Sequence, residues 1–386
     1  MTLRSFVSRR TSRGVSLVEL MVGVAIGLIG VVAIFQAVTV WTKHTQTTGS
    51  GSDAQVSGTL ALFNIERDLK QAGHGFGRAA TALMGCNVVT PPPPVVGGAI
   101  NLRPVEIVQG APAGAPDTIR VFYGVSSFFP DEGDFTGSTN TTKTLPRLGG
   151  FRKGDIAVVA GDVGLPPVST CMMIEVTDDT DPNGLIAHAP VNYTSFYGGP
   201  AKDARLNIAA PPAFLTGKIY NLGDRPRYDV WTIDNNRVLA RVDWLDPAAP
   251  LVSAQIADGV VNMKAQYGYD TNSDGKIDNG EWMAALPPAP DWKRVLAVRV
   301  AVLVRSRQFE RNGDSGANNG ATAAVTPTAA NPTYFGGTPF RMTDVNNGLA
   351  DSFSDVDAVP NNWRYYRYRV YERVIPLRNM LWGTYG

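Results

Sequence analysis

The longest apolar stretch in the chain lies between Gly14 and Trp41. Residues 20–35 form a run of sixteen residues without a polar side chain. A helix built from residues 14–41 is long enough to span the hydrocarbon core of a bilayer, which is roughly 30 Å thick. The pattern therefore predicts a membrane-embedded helix in this part of the chain.

The charges that flank this run predict its orientation. Residues 1–14 carry four arginines and no acidic residue. Because positively charged flanks stay in the cytoplasm, the chain after Trp41 is expected outside the inner membrane. A basic leader before an apolar run is also typical of a secretory signal, but no small-residue cleavage site follows the run. Glu19 is unfavourable beside lipid, and such a residue usually marks function.

A second helical pattern follows the polar stretch of residues 42–52. Apolar residues recur at helical spacing up to Ala72, in two neighbouring stripes. One stripe contains Val56, Leu60, Phe63 and Arg67, and the other contains Ala61, Ile65 and Leu69. We expect one long helix over residues 15–72, weakest near Gly49. Its first half would lie in the membrane, and its second half would pack on a globular head.

The rest of the chain predicts strands and turns. Its short alternating segments are separated by turns, in a chain with 40 glycines and 27 prolines. The clearest strand candidates are residues 118–123, 155–160, 171–176, 237–244 and 292–307. We therefore expect an α+β fold, in which the long helix packs on a β-rich head formed by residues 73–386. Long loops, such as residues 312–337, should connect the strands.

Two of the alternating segments carry arginines. In residues 292–307, Arg299 and Arg305 lie on one face, and the other face carries Leu296, Val298, Val300, Val302 and Val304. This alternation predicts one core face and one solvent face. In residues 363–375, aromatic and arginine side chains that could stack on nucleic-acid bases share a face. They are Tyr365, Arg367, Arg369, Tyr371 and Arg373. The alternative is a solvated sheet face with cross-strand Tyr–Arg pairs. The formal net charge of +1 favours that alternative over nucleic-acid binding.

The sequence offers little for catalysis. The three histidines, His44, His74 and His188, lie in no catalytic motif. No nucleophile elbow, P-loop or H-E-x-x-H pattern occurs. We therefore expect a protein that is not an enzyme.

Residues 270–281, DTNSDGKIDNGE, match the calcium-loop pattern at every required position. The expected ligands are Asp270, Asn272, Asp274, the carbonyl of Lys276, Asp278 and Glu281. Four carboxylates this close repel one another without a cation, and the alternative is an acidic hairpin turn. The flanking residues, Tyr267 to Tyr269 and the pair Pro287 and Pro288, are not EF-hand helices. We expect calcium to act as a structural staple rather than as an opening switch.

The chain has two cysteines, Cys86 and Cys171, and both lie in the part placed outside the membrane. An oxidising compartment favours a disulfide, and one intramolecular pairing is possible. The alternative is two buried free thiols.

The segment Gly14-Val-Ser-Leu-Val-Glu19-Leu resembles the type III signal of type IV pilins and pseudopilins. The resemblance implies that a prepilin peptidase removes the leader, residues 1–14, by cutting between Gly14 and Val15. Val15 would then be N-methylated, although the family's usual first residue is Phe. Glu19 would become the fifth mature residue and would meet the N-terminus of a neighbouring subunit during assembly.

Three further blocks resemble the PilW minor pilins. They are the helix end RDLKQAGHGFG from Arg67 to Gly77, residues 267–307, and an arginine-rich strand that closes with Leu377-Arg-Asn379. The resemblance implies a structural subunit that helps to prime type IV pilus assembly near the pilus tip. Its partners would be other minor pilins, the major pilin and the inner-membrane assembly platform. Such pili serve adhesion, twitching motility and DNA uptake.

The same features leave other functions open. A J-type minor pseudopilin of a type II secretion system shares the signal and the helix. A calcium-dependent adhesin could be presented on a pilin anchor near the tip. DNA binding for uptake depends on the Tyr–Arg segment alone. In each case the chain would begin in the inner membrane with a periplasmic head, and a pilin would end in the extracellular pilus.

Overall fold

The computed structural model describes most of the helix and the head. The described residues are 14, 16–77, 84–89, 100–111, 114–126, 133–146, 150–161, 170–181, 183–209, 211, 214–246, 252–288, 290–306, 332–340 and 368–384. Most of the predicted leader, Val15, most of the predicted loop 312–337 and residues 363–367 of the Tyr–Arg segment lie outside this part of the chain.

Two helices, two short 3-10 helices and 22 strands are found in the described residues. In chain order they are α1 (Leu17–Gln71), β1 (Asn87–Val89), β2 (Ile100–Asn101), β3 (Val105–Val108), β4 (Thr118–Tyr123), β5 (Gly133–Phe135), β6 (Gly137–Ser138), β7 (Thr142–Thr144), β8 (Ile156–Gly161), β9 (Thr170–Glu175), β10 (Leu185–Ala187), β11 (Asn192–Tyr193), β12 (Lys202–Asp203), β13 (Gly217–Gly223), β14 (Arg227–Ile233), β15 (Val238–Asp243), β16 (Ser253–Asp258), β17 (Val260–Tyr269), η1 (Asn279–Glu281), β18 (Trp282–Met283), η2 (Trp292–Arg294), β19 (Val295–Arg305), β20 (Thr333–Tyr334), β21 (Thr338–Pro339), β22 (Tyr368–Pro376) and α2 (Arg378–Thr384). The fold is α+β with a small helical fraction, as the sequence predicts.

The chain divides into two compact units, residues 1–52 and 53–386. In the first unit, α1 carries a span from Leu17 to Thr42 with a mean hydropathy of 2.6, and none of its most apolar window is buried. The span is long and apolar enough to cross a membrane. The backbone is helical at Gly49, where the sequence predicts a weak point.

Three sheets build most of the second unit, which we call the head. Their strand orders are β2-β1-β9-β8-β13-β5, β16-β15-β14-β4-β3 and β18-β17-β19-β22. Small sheets β10-β7-β6, β11-β12 and β20-β21 lie beside them. Strand β4 has the predicted bounds, and β8, β9 and β15 differ from theirs by one residue at each end. Short apolar segments bounded by turn residues were therefore sufficient to find these strands.

The main core joins α1 to the faces of the large sheets. It contains Ile65 and Leu69 of the helix, Trp231 of β14 and Val298 and Val300 of β19, all fully buried. Because side chains alternate along a strand, the neighbours of core residues in β8 and β9 point to the opposite face. They form a second core with Phe135 and Leu145.

The expectation of a solvated outer face on β19 is wrong. Ala301 and Leu303 on that face are fully buried with Phe340, which follows the hairpin formed by β20 and β21. Arg305 is also buried, and Arg299 is half-buried. The covering hairpin is distant in sequence and lies within the predicted loop and just beyond it, so the alternation in β19 gave no sign of it.

Candidate functional site

The side chain of Ser16 caps the start of α1. The backbone N–H of Glu19 donates to the hydroxyl of Ser16 at 3.1 Å. Ser16 followed three residues later by Glu19 is the spacing of a capping box, and a carboxylate in the first turn also suits the helix dipole. Glu19 and its neighbours in the apolar span are exposed. The capping role of Ser16 could have been found from this spacing.

In the head, the two apolar stripes of α1 differ in their surroundings. Ala61, Ile65 and Leu69 are fully buried against the sheets. Val56, Leu60 and Phe63 are exposed, on the side of the helix that faces away from this core. A row of large exposed apolar side chains on one helix face is typical of a protein–protein contact.

In the described part of the Tyr–Arg segment, Tyr371 and Arg373 of β22 contact the helix α1. Tyr371 lies against Gly58 of α1, where a Cβ atom would overlap its ring. Arg373 pairs with Glu66 of α1, which also pairs with Lys70 at 2.6 Å. Hydrogen bonds from Lys70 and then from Arg373 hold the pKa of Glu66 below its usual range.

The other residues of that predicted face are less constrained. Arg369 is exposed, and Tyr365 and Arg367 lie outside the described residues. The described part of the Tyr–Arg segment therefore helps to hold the second half of α1 against strand β22.

The C-terminal segment of the head closes the end of α1. The side-chain amide of Asn379 donates to the carbonyls of Gln71 and Ala72, both at 3.0 Å. The last carbonyls of a helix have no partner within the helix. The amide of Asn379 supplies a partner for the carbonyl of Ala72 and a second one for that of Gln71, which also accepts from the backbone N–H of His74 at 2.9 Å. Leu377 and Met380, on either side of Asn379, are fully buried. The closing Leu-Arg-Asn motif is thus a cap for a helix about 300 residues earlier in the chain.

Residues 270–281, which we call the Asp-rich loop, connect β17 to β18 and end in η1. Strands rather than EF-hand helices therefore flank the loop, as expected. Asp270, which is buried, accepts backbone N–H groups from Ser273 at 2.5 Å and from Gly275 at 2.8 Å. Gly275 has φ of +78°, a left-handed conformation that glycine adopts without strain. The loop is therefore folded around the first of its predicted ligands.

The last predicted ligand closes the loop. Glu281 is buried and accepts from the N–H and the hydroxyl of Thr271, both at 2.6 Å, and from the N–H of Asp278 at 3.0 Å. The hydroxyl of Thr271, followed by the N–H of Asp278, lowers the pKa of Glu281 to about 2. Asn272, Asp274, Lys276 and Asp278 are exposed.

The donor atoms of the Asp-rich loop suit calcium, but their arrangement does not form a metal site. Within the described residues, no group of three or more His, Cys, Asp or Glu side chains is close enough together to hold a metal ion. The carboxylates of Asp270 and Glu281 point at backbone N–H groups instead. The donor set itself is made only of oxygens, which calcium prefers. Calcium binding would require the exposed side chains of Asn272, Asp274 and Asp278 to move closer to Asp270 and Glu281.

Cys86 and Cys171 are joined in a disulfide, with their Cα atoms 5.8 Å apart. The pair links the start of β1 to β9, its parallel neighbour, and both cysteines are buried in the main core. The bond therefore staples one edge of the six-stranded sheet.

Two family models match the chain. The model described as "Type IV Pilus-assembly protein W", PilW, matches residues 228–379. The "Prokaryotic N-terminal methylation motif" matches residues 9–35, which include Gly14 and Glu19. The chain is PilW-like. Comparison with curated proteins and with solved structures found no match.

The PilW match begins inside β14 and contains β15 to β22, the Asp-rich loop, and Asn379 as its last residue. It confirms the resemblance predicted for residues 267–307 and for the closing strand, and it extends that resemblance upstream to Tyr228. The helix end Arg67 to Gly77 lies outside both matches, but the structure explains its aspartate. Asp68 is buried, and its Oδ2 lies 3.5 Å from Nη1 of Arg241 in β15. Burial, and then the charge of Asp229, raise the pKa of Asp68.

The sequence did not reveal a buried polar cluster formed by Asp68, Tyr123, Arg227, Asp229 and Arg241. Asp229 of β14 is fully buried and accepts two hydrogen bonds from Arg227, at 2.8 and 3.0 Å, and one from the hydroxyl of Tyr123 at 3.0 Å. Its members come from α1, β4, β14 and β15, and no local pattern links them. Its other members, Asp68, Tyr123, Arg227 and Arg241, line an open cavity of about 480 Å³ at the end of α1.

A second missed pair lies between β7 and the residue that follows β10. Lys143 and His188 are both buried, and Nζ of Lys143 lies 3.0 Å from Nε2 of His188. Burial lowers the pKa of Lys143 to about 8. Burial, and then the charge of Lys143, lower the pKa of His188 to about 4.

Proposed function

We propose that this chain is a structural minor pilin that helps to initiate type IV pilus assembly near the pilus tip. The observation that carries the proposal is the exposed apolar span Leu17–Thr42 with Glu19 in the first turn of its helix, in a chain matched by PilW. Before assembly the span would lie in the inner membrane with the head in the periplasm. After assembly the subunit would belong to the extracellular pilus.

The chemistry of the N-terminus supports a role in assembly. Once prepilin peptidase has cut after Gly14, the amine of Val15 stays cationic whether it is methylated or free. In lipid, an unpaired ammonium and an unpaired carboxylate are each unfavourable, and pairing them offsets much of that cost. Glu19 would therefore pair with the N-terminus of a neighbouring pilin as the subunit leaves the membrane.

The head supports contacts with other subunits. Val56, Leu60 and Phe63 are exposed on the helix face turned away from the core. They would pack against the helices of other minor pilins or of the major pilin, and the assembly platform would bring these subunits together. The proposed role is structural and needs no catalysis.

Variants of Glu19 and Gly14 test this function. We expect Glu19→Ala and the uncharged isostere Glu19→Gln to be inserted and cleaved normally but poorly incorporated into pili. Gly14→Val should remain an uncut precursor, visible by size. Pilus counts and immunoblots of sheared pili against whole cells measure both effects. Incorporation of the Glu19 variants at the wild-type level would refute the assembly role.

A J-type minor pseudopilin is the second candidate, because it shares the signal and the apolar helix. A deletion strain separates the two. Pilus loss with intact protein secretion supports the minor pilin, and secretion loss with intact pili supports the pseudopilin. An adhesin is supported instead if pili persist but surface binding is lost.

The proposal includes a calcium-stabilised head. Asp270, Glu281 and the exposed Asn272, Asp274 and Asp278 supply side-chain oxygens in the calcium-loop order, with the carbonyl of Lys276. Calcium would relieve the repulsion among four carboxylates and fix the loop between Tyr269 and Trp282. As in extracellular calcium modules, we expect Kd on the order of 10⁻⁴–10⁻³ M.

Calorimetry on the full-length protein in detergent tests the calcium site. We expect binding heat and a higher Tm at millimolar calcium, both lost in Asp270→Ala/Glu281→Ala. The matched control is Asp178→Ala/Asp181→Ala, which removes two carboxylates from another acidic turn and should keep the response. Wild-type protein that gives neither heat nor a Tm shift would refute the site.

A further inference from the structure

Charged side chains dominate the wall of the cavity at the end of α1. Arginines reach it from three elements, Arg67 from α1, Arg227 from β14 and Arg241 from β15. Among the described residues that line it, Asp68 supplies the one carboxylate. The volume of about 480 Å³ lies within the usual range of ligand pockets, roughly 300–1,000 Å³. The cavity is therefore large enough for a ligand, and positive charge predominates on its wall.

The guanidinium of Arg227 already has a carboxylate partner inside the protein. It donates to Asp229 from Nη2 at 2.8 Å and from Nε at 3.0 Å, and its Nη2 lies 3.7 Å from Asp243. Asp229 is fully buried and also accepts from the hydroxyl of Tyr123. The charge of Arg227 is therefore balanced within the cluster.

Arg67 and Arg241 are paired less closely, and both lie against the same carboxylate. Nε of Arg67 is 3.4 Å from Oδ1 of Asp68, and Nη1 of Arg241 is 3.5 Å from its Oδ2. Nε of Arg241 lies 3.8 Å from Asp229. A charge-assisted N–H···O bond is usually about 2.7–2.9 Å long, and each guanidinium has five N–H donors. Two guanidiniums thus share one carboxylate and retain donors for a second.

The arginines of this pair can be reached from solvent. The side chain of Arg67 is 52% exposed and that of Arg241 is 19% exposed, whereas that of Asp68 is 2% exposed. A ligand that enters the cavity therefore meets the two guanidiniums, while Asp68 stays almost inaccessible.

We infer that this cavity binds a carboxylate, which Arg67 and Arg241 hold beside Asp68. A guanidinium fork matches the two oxygens of a carboxylate. One carboxylate also brings the single negative charge that two guanidiniums and one aspartate lack. A phosphate dianion would bring more charge than is needed, next to the buried Asp68 and the negative end of the helix dipole. The carboxylate belongs either to a free carboxylic acid or to an acidic side chain of another subunit.

Calorimetry on the full-length protein in detergent, at constant ionic strength in chloride, tests the site. The probes are sodium acetate, sodium phosphate, and an acetylated, amidated pentapeptide with a central glutamate or a central glutamine. We expect acetate to bind with Kd on the order of 10⁻³ M and phosphate to bind at least about tenfold more weakly. If the glutamate peptide binds more tightly than acetate and the glutamine peptide does not bind, the ligand is an acidic side chain. If acetate binds more tightly than the glutamate peptide, the ligand is a free acid.

Two variants should change acetate binding in opposite directions. Arg67→Gln removes one guanidinium and should weaken binding by about tenfold. Asp68→Asn removes the competing carboxylate and should strengthen it by about tenfold, and Arg67→Gln still tests the site if Asp68→Asn fails to fold. Arg225→Gln is the matched control, because Arg225 also lies beside a sequence-adjacent aspartate, 3.6 Å from Asp224, and is not part of the cavity wall.

Three results would overturn the inference. Wild-type protein that gives no binding heat with acetate or with the glutamate peptide overturns the site. Phosphate that binds as tightly as acetate overturns the assignment to a carboxylate. Arg67→Gln protein that binds acetate with the affinity of the Arg225→Gln control overturns the assignment to this cavity.

Discussion

The aromatic ring of Tyr371 occupies the space that any side chain at Gly58 would need. Gly58 lies in α1 and Tyr371 in β22, so this pair sets how closely the helix approaches the sheet. The pair Arg373 and Glu66 joins the same two elements further along the helix. One glycine and one tyrosine thus fix the closest approach of α1 and β22.

Gly58→Ala should destabilise the head, although alanine in a helix interior is normally better than glycine by about 1 kcal/mol. The new methyl group would overlap the Tyr371 ring, and such overpacking typically costs about 1–3 kcal/mol. Urea unfolding of the full-length protein in detergent measures the change. The control is Gly51→Ala, whose Cβ would meet no atom within 4 Å.

A second variant shows whether the ring is the cause. In the double variant Gly58→Ala/Tyr371→Ala, the alanine at position 58 should no longer be unfavourable relative to Tyr371→Ala alone. If Gly58→Ala is as stable as Gly51→Ala, the close approach of ring and helix is refuted.

Asn379→Leu should weaken the end of α1. The substitution keeps the size of the side chain but removes both hydrogen bonds to the carbonyls of Gln71 and Ala72. A lost hydrogen bond with an unsatisfied partner costs about 1–3 kcal/mol, and we expect a loss in that range. Unfolding free energy and hydrogen exchange near residue 71 are the measurements. Arg378→Ala, at the exposed neighbouring position, should change neither.

The pair of Lys143 and His188 should make stability depend on acid pH. The pKa of His188 in the folded protein is lowered to about 4, below its ordinary value of about 6.5. The folded state therefore binds fewer protons than the unfolded state between these values. The stability contributed by neutral His188 is complete above about pH 6.5 and is lost as the pH falls towards 4.

His188→Gln isolates this contribution, because glutamine keeps a hydrogen-bond acceptor and does not titrate. Between pH 7 and pH 4 the wild type should lose up to about 3 kcal/mol more unfolding free energy than the variant. Urea unfolding at several pH values measures the difference. Equal pH slopes for the two proteins would contradict the assignment.

Removal of the disulfide should lower the stability of the head strongly. The bond closes a loop with a sequence separation of 85 residues. In the chain-entropy model this contributes on the order of 4 kcal/mol. Cys86→Ala/Cys171→Ala should unfold at correspondingly lower urea than the oxidised wild type. Thiol labelling of denatured, unreduced wild type should find no free cysteine, and two labels per chain would refute the bond.

Local patterns were enough to predict α1 and strands β4, β8, β9 and β15. These elements depend on periodicity and turn residues within a few positions of each other. The choice between the two stripes of α1 could not be predicted, because both are apolar and only the sheets decide which is buried. Asp68 and Arg241 meet across 173 positions, and no local spacing signals such a pair.

For the Asp-rich loop, the sequence predicts the donor atoms but not the directions of the side chains. Its sequence gives the order of the oxygen donors, but not where Asp270 and Glu281 point. In the structure they accept backbone N–H groups, a competition that a spacing pattern does not contain. The cover on the outer face of β19 was likewise hidden, because the hairpin that forms it lies more than 25 residues beyond that strand.

The cap that Asn379 places on α1 also has a consequence for how the protein matures. The helix leaves the ribosome first, and the carbonyl of Ala72 meets the amide of Asn379 only when that residue has been made, 307 positions later. Contacts of such high sequence separation form late in folding. A chain halted before β22 would keep its anchor but display an uncapped helix end and an open sheet edge. The final strand therefore distinguishes a finished head from an incomplete one, which should be more open to proteolysis.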